Sequence, residues 1–220
     1  MKTSNSNGNL PAEETIEALR AYAALCFLVS RFFLETPSPE LVRELRRLGC
    51  LVPESENSRD TVKESDEEIA HQLAEECTRL FMAAPPYGSI YRVDDKYAGE
   101  LHGSTSVAVQ KYLEHFGFKL SHPGQIPDHL GVLLRFVGET LRAEVDAATV
   151  GKTTEIRQIR ILRKDFIINF MKPWVKEYMN RVQSLQPSRI LTELFTITGD
   201  LLELALPANA GEQVQDRDHG

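Results

Sequence analysis

The sequence predicts an all-α, single-domain helical bundle. Three observations carry that expectation: apolar residues recur at spacings of three and four along most of the chain, prolines and glycines such as Gly49, Pro85, Pro86 and Gly117 mark where several of those runs end, and no stretch sustains a period of two. The nearest approach to alternation, SIYRV, is short and sits in a Pro/Gly-rich segment. With 220 residues, 42% hydrophobic and 26% charged, the chain is long enough for one sizeable core and is neither a disordered nor a disulfide-built sequence.

The elements follow in order. From about Ala12 to Leu34, the positions Ile16, Leu19, Ala23, Cys26, Phe27, Ser30 and Phe33 mark the buried face of a first helix. TPSPE stops it; Ser38 is placed to cap a second, short helix with Pro39 at its first position, and Gly49 to end it after Leu48. PESENSRDTVKESDEE reads as a surface loop running into the acidic first turn of a third helix, whose inner face is Ile69, Leu73, Cys77, Leu80 and Phe81 and whose end is set by Pro85 and Pro86. Val107, Val109, Tyr112, Leu113 and Phe116 predict a helix closing at Gly117, and Leu130, Leu133, Leu134, Val137 and Leu141 another opening near Pro127. Ile156, Ile159, Leu162, Phe166 and Phe170 predict a further helix that breaks or bends at Pro173 before Trp174, Val175, Tyr178 and Val182 continue it. Leu191, Leu194, Phe195, Thr198, Leu201 and Leu202 predict the last.

The domain is expected over residues 12–206, with a flexible N-terminus over 1–11 and a flexible polar tail over 207–220. A formal charge of −7, from 32 acidic and 25 basic residues, argues against nucleic acid as a partner and suits a cationic peptide. Cys26, Cys50 and Cys77 are an odd number without metal-ligand spacing, which fits a reducing compartment. No segment has the apolar length of a secretory signal or a membrane span, so a cytoplasmic location without membrane insertion is expected.

Two segments stand out as binding surfaces. In LFMAAPPYGSIY, Leu80 to Tyr91, two prolines stiffen the chain after a helix, Gly88 permits a tight bend, and Tyr87 and Tyr91 supply aromatic bodies with polar tips. Little conformational entropy is left to lose in such a loop when a partner arrives, although the same tyrosines also suit packing against the bundle. In PDHLGVLLRF, Pro127 to Phe136, Asp128 is expected in the first turn of a helix, ready to accept hydrogen bonds from a basic group. His129 beside it is expected to titrate near neutrality.

Rival chemistries are weaker. Gly151, Lys152 and Thr153 in DAATVGKTT reproduce the end of a phosphate-binding loop, but Asp146 replaces its first glycine and FVGETLRAEV before it reads as helix rather than strand. His102, His115, His122 and His129 match no compact metal motif, so neither a metal nor another cofactor is expected. Ser104 and Ser106 lack a nucleophile-elbow pattern, and the adjacent Asp128 and His129 diverge on a helix rather than forming a relay, so no enzyme activity is expected.

Taken together in order and spacing, ECTRLFMAAPPYGSIY, a spacer through Gly99, PDHLGVLLRF and DFIINFMKPWV resemble the TorD/DmsD family of redox-enzyme maturation chaperones, over about Glu75 to Trp174. The resemblance implies a bundle of that family's type and a cytoplasmic chaperone without catalytic turnover. It would bind the twin-arginine signal peptide of a molybdenum-containing reductase or dehydrogenase precursor and delay export until the cofactor is inserted. Carried over by position, the peptide-binding set is Leu80, Phe81, Pro86, Tyr87, Ser89, Tyr91, Pro127, Asp128 and His129, with the apolar members facing the peptide's hydrophobic region and Asp128 its arginines. Guanine nucleotide has been associated with the wider family, which keeps the GKTT segment as a lesser candidate. Two positions depart from the family pattern: Cys77 stands where an aromatic residue is frequent, and Phe170 where a histidine is common four residues before Trp174, itself expected in the core.

Overall fold

The computed structural model describes residues 13–51, 64–92 and 100–206; the expectations for the N-terminus, the tail, residues 53–63 of the polar loop and the spacer through Gly99 lie outside these. Among the described residues the chain is all-helical. Helix α1 spans Glu13–Leu34, α2 Pro39–Arg47, α3 Asp66–Ala83, and α4, a single turn, Gly88–Tyr91. Helix α5 spans Ser104–His115, α6 Leu130–Thr149 and α7 Thr153–Phe166. A π-helical turn over Ile167–Met171 leads into α8, Lys172–Ser184, and α9 covers Arg189–Leu204.

The starts and stops follow local chemistry. Ser38 accepts from the Leu41 N–H at 3.3 Å with Pro39 just inside α2, as expected. Gly49 ends that helix in the left-handed region, φ +72°, where the Cys50 N–H reaches the Leu45 carbonyl at 2.9 Å. The acidic run before α3 contains a capping box: the Ser65 hydroxyl accepts from the Glu68 N–H at 3.2 Å, and the Glu68 carboxylate accepts from the Ser65 N–H at 2.8 Å.

The core is organised around α1 and α6, which run antiparallel in close contact. Gly131 and Gly138 make that approach possible. A Cβ at Gly131 would lie 2.6 Å from the Leu34 Cγ and 3.0 Å from the Ser30 carbonyl oxygen, and one at Gly138 would press on the Phe27 ring. The Ser30 hydroxyl donates to the Gly131 carbonyl at 2.7 Å, satisfying a buried polar side chain across the same interface. α7, α8 and α9 close the bundle with Phe166, Trp174, Tyr178, Leu191 and Leu194, all buried.

Three sequence expectations need correction. Val107 and Phe116 are largely exposed, so the buried stripe of α5 runs through Val109 and Leu113 instead. Of the break or bend expected at Pro173, the structure shows no break. The helix widens into the π turn beforehand, and the proline occupies the first turn of α8, where its missing N–H costs no hydrogen bond. Gly88 to Tyr91, expected as loop, close one helical turn.

Farther along α6, the Glu144 carboxylate is buried against two cations: Arg160 Nε lies 2.5 Å from one oxygen and Arg163 Nη2 2.7 Å from the other. Arg163 Nε also donates to the Ala205 carbonyl at 2.7 Å, so a single guanidinium ties α6 and α7 to the end of α9.

Candidate peptide-binding site

The end of α3, the segment leading into α4 and the entrance to α6 meet on one face. Leu80 is wholly buried, whereas Phe81, half-buried, stacks on Phe33 with ring centroids 5.8 Å apart. Ala84 to Tyr87 then run beside Asp128 and His129. Leu130 N–H donates to the Pro86 carbonyl at 2.8 Å, Gly88 N–H donates to the Asp128 carbonyl at 3.0 Å, and Tyr87 and His129 form an isolated antiparallel bridge. The Tyr87 ring stands edge-on to the His129 ring at 4.9 Å.

His129, rather than Pro127, marks the start of α6: its backbone is extended and its Nδ1 accepts the Gly131 N–H at 3.1 Å. Asp128 therefore precedes the cap and does not occupy the first turn. Its side chain turns toward α4, where Oδ2 accepts the Ser89 N–H at 2.6 Å. The residue is 0% exposed, and neither Oδ1 nor the Ser89 hydroxyl has a hydrogen-bond partner among the described residues. The expectation that His129 titrates near neutrality is also overturned. Burial lowers its pKa to about 4, so at neutral pH the ring is uncharged and its lone pair is free to cap the helix.

α4 rests on α8. Tyr91 stacks on Trp174 at 6.1 Å and meets Tyr178 edge-on at 5.5 Å, and burial pushes its hydroxyl up to about 12. Gly88 is demanded by space rather than by an unusual bend, because its Cβ position lies 2.9 Å from the Trp174 Nε1. That indole N–H donates to the Phe170 carbonyl at 2.6 Å, inside the π turn, and Arg92 Nη1 donates to the neighbouring Asn169 carbonyl at 3.0 Å. Phe170 thus supplies a backbone acceptor that does not depend on its side chain. Cys77, one turn before Leu80, is buried, and desolvation pushes its thiol up to about 12, which keeps it neutral and unreactive.

All nine residues expected from the sequence fall in these three segments, and they differ in access. Phe81, Tyr87 and Tyr91 are half-buried and present aromatic surface; Leu80, Pro86, Ser89, Pro127, Asp128 and His129 are buried beneath or beside them. Met82, which the sequence reasoning passed over, is 80% exposed next to Phe81. Its position four residues after Thr78 and three after Arg79, both outward-facing, was the available signal. The place of Trp174 as the seat of α4 was not foreseen either, since nothing in sequence spacing pairs residues 88 and 174.

The rival sites lose their context. Gly151 (φ +71°) and Lys152 follow the α6 C-cap, Val150, and close the end of that helix, with Lys152 N–H donating to the Ala147 carbonyl at 2.9 Å and Gly151 N–H to that of Ala148 at 3.1 Å. The Lys152 ammonium pairs with Glu155 at 2.8 Å, and a helix precedes the segment where a phosphate loop needs a strand. No cluster of three or more potential metal ligands occurs among the described residues. A cavity of about 560 Å³ lies away from this face, beside Phe116, Arg135, Asp146 and Leu162. Another of about 520 Å³, beside His102 and His122, adjoins the face only through Pro127.

A family model for the nitrate reductase delta subunit matches residues 34–180, two-thirds of the chain and every residue of the candidate site. The chain belongs to that family. The nitrate reductase delta subunit family takes in the TorD/DmsD type of redox-enzyme maturation chaperone, and its members are molybdoenzyme assembly chaperones rather than enzymes. No curated protein matches the chain. Among the described residues no helix is long and apolar enough to cross a membrane.

Proposed function

We propose that this delta-subunit-family chaperone acts in the cytoplasm, binds the twin-arginine signal peptide of a molybdenum-containing reductase or dehydrogenase precursor, and holds the precursor back from export until its cofactor is in place. The observation that carries the reading is the aromatic face of Phe81, Tyr87 and Tyr91, with Met82 exposed at its edge. Such a surface can bury the apolar stretch of a signal peptide, while tyrosine faces accept guanidinium groups. The adaptable Met82 side chain suits varied apolar residues. The acidic balance of −7 favours a cationic peptide end. No turnover chemistry is involved, and the remaining members of the set hold the face in shape.

Isothermal titration with a twin-arginine peptide tests the proposal. Binding is expected, weakened about tenfold or more by Tyr87→Ala, in line with loss of an aromatic contact at a binding centre. Absence of binding to every twin-arginine peptide in a panel drawn from molybdenum-containing reductase and dehydrogenase precursors overturns it. A precursor complex that survives deletion of the leader would instead make the chain an assembly scaffold that contacts the folded subunit.

A further inference from the structure

We propose that Asp128 is a positioning residue: its carboxyl group caps α4 from across the chain and sets the aromatic face, and it does not itself meet the peptide's arginines. This rests on the peptide-binding reading and changes the role of one residue within it.

The geometry points this way. Asp128 is 0% exposed, and its Oδ2 accepts the Ser89 N–H at 2.6 Å, one residue into α4. α4 has no cap of its own, since Tyr87 precedes it and makes no side-chain cap bond. A helix of one turn leaves its first N–H groups without partners, so an acceptor must come from elsewhere. Asp128 supplies two: its carbonyl takes the Gly88 N–H at 3.0 Å and its carboxyl the next one. With those bonds made, Tyr87 lies over His129 and Tyr91 over Trp174.

The rival role has one point in its favour, the unpartnered Oδ1. That atom has almost no accessible surface. A guanidinium could reach it only if the segments packed over it moved, and the other oxygen of the same carboxyl is held by the Ser89 N–H of α4.

The two roles separate on Asp128→Asn and Asp128→Ala. Asparagine keeps an acceptor for the Ser89 N–H and removes the charge; alanine removes both. Trp174 is the chain's one tryptophan, is buried and is stacked on Tyr91, so its fluorescence reports whether α4 is seated, with no peptide present. Asp128→Ala is expected to shift the emission to the red and raise acrylamide quenching, while Asp128→Asn stays near wild type.

In titrations with a twin-arginine peptide and its twin-glutamine counterpart, Asp128→Ala should weaken both by the same factor, about tenfold, and Asp128→Asn neither by more than about threefold. Unchanged emission in Asp128→Ala overturns the proposal. So does an Asp128→Asn variant that loses the arginine peptide and spares the glutamine one. If Asp128→Ala does not fold, Asp128→Asn decides alone: retained arginine-peptide affinity supports positioning, and loss of the arginine peptide alone with wild-type emission overturns it. If the wild-type chain binds no peptide, the signal-peptide reading fails while the fluorescence comparison still fixes the role of Asp128.

Discussion

The two ends of α6 each hold a fully buried carboxyl group, and the protein treats them in opposite ways. Glu144 lies between Arg160 and Arg163, so its charge is balanced and the helices around it are tied together. Asp128, just before the helix cap, has no cation among its hydrogen-bond partners in the described residues; it binds backbone N–H, and among those residues Oδ1 is left without a partner. A buried carboxylate paired with cations fixes a structure, whereas one spent on a neighbouring backbone shapes a surface. One end of the helix is a lock, and the other, on the function proposed above, is a scaffold for the peptide face.

Removing the lock should produce the largest loss. Glu144→Ala leaves Arg163 buried without its counter-charge, and breaking a buried pair in this way costs about 3–5 kcal/mol. Urea unfolding should show it as a lower midpoint at an unchanged slope. A loss under about 1 kcal/mol, the scale of a surface pair, would show that the two ends differ less than their burial suggests.

The Asp128–His129 end should instead reveal itself through acid. Because burial lowers the His129 pKa to about 4 in the folded chain, the unfolded chain takes up the proton first as pH falls below the ordinary value near 6.5. The stability contributed by the neutral ring is present above pH about 6.5 and lost as pH falls through the folded pKa, up to on the order of 3 kcal/mol. His129→Asn keeps an N-capping acceptor and should flatten that part of the pH profile relative to wild type. Parallel profiles for the two proteins would remove His129 as the source.

The difference between the ends also explains what the sequence made legible. Helical periodicity, Ser38, Gly49 and the proline boundaries report local preferences, so the bundle and most of its element ends were readable. The two segments that the structure brings together at the candidate site also stood out in the sequence, because Pro85, Pro86, Tyr87 and Asp128 belong to an ordered motif. What those residues do was less accessible. Asp128 looked like a first-turn carboxylate and His129 like a switch, because both expectations used sequence neighbours. Their roles are set by residues far away in the chain, Ser89 for one and the enclosing core for the other. The Glu144–Arg163 pair escaped notice for the same reason: a charged residue inside a long helix is ordinarily solvated, and only tertiary packing reveals its burial.

Gly131→Ala probes the helix entrance between the two carboxyls. The added Cβ would sit 2.6 Å from Leu34 Cγ and 3.0 Å from the Ser30 carbonyl, which is backbone and cannot swing away. Forcing α1 from α6 should cost about 1–3 kcal/mol and lower the melting temperature. A melting temperature equal to wild type would mean that the α1–α6 contact yields without loss.

The smallest effect on stability should accompany a large effect on the binding face, and Gly88→Ala is the substitution that separates them. Its Cβ would stand 2.9 Å from Trp174 Nε1, so either α4 lifts or the indole shifts and weakens its 2.6 Å bond to the Phe170 carbonyl. The strain is offset in part by the better helix propensity of alanine, about 1 kcal/mol, and α4 is too short to carry much of the fold. The melting temperature should therefore move little, while Trp174 emission changes and affinity for a twin-arginine peptide drops several-fold. A variant with wild-type emission and wild-type affinity would show that α4 and α8 have room to spare; one that loses stability as heavily as Glu144→Ala would show that α4 belongs to the lock.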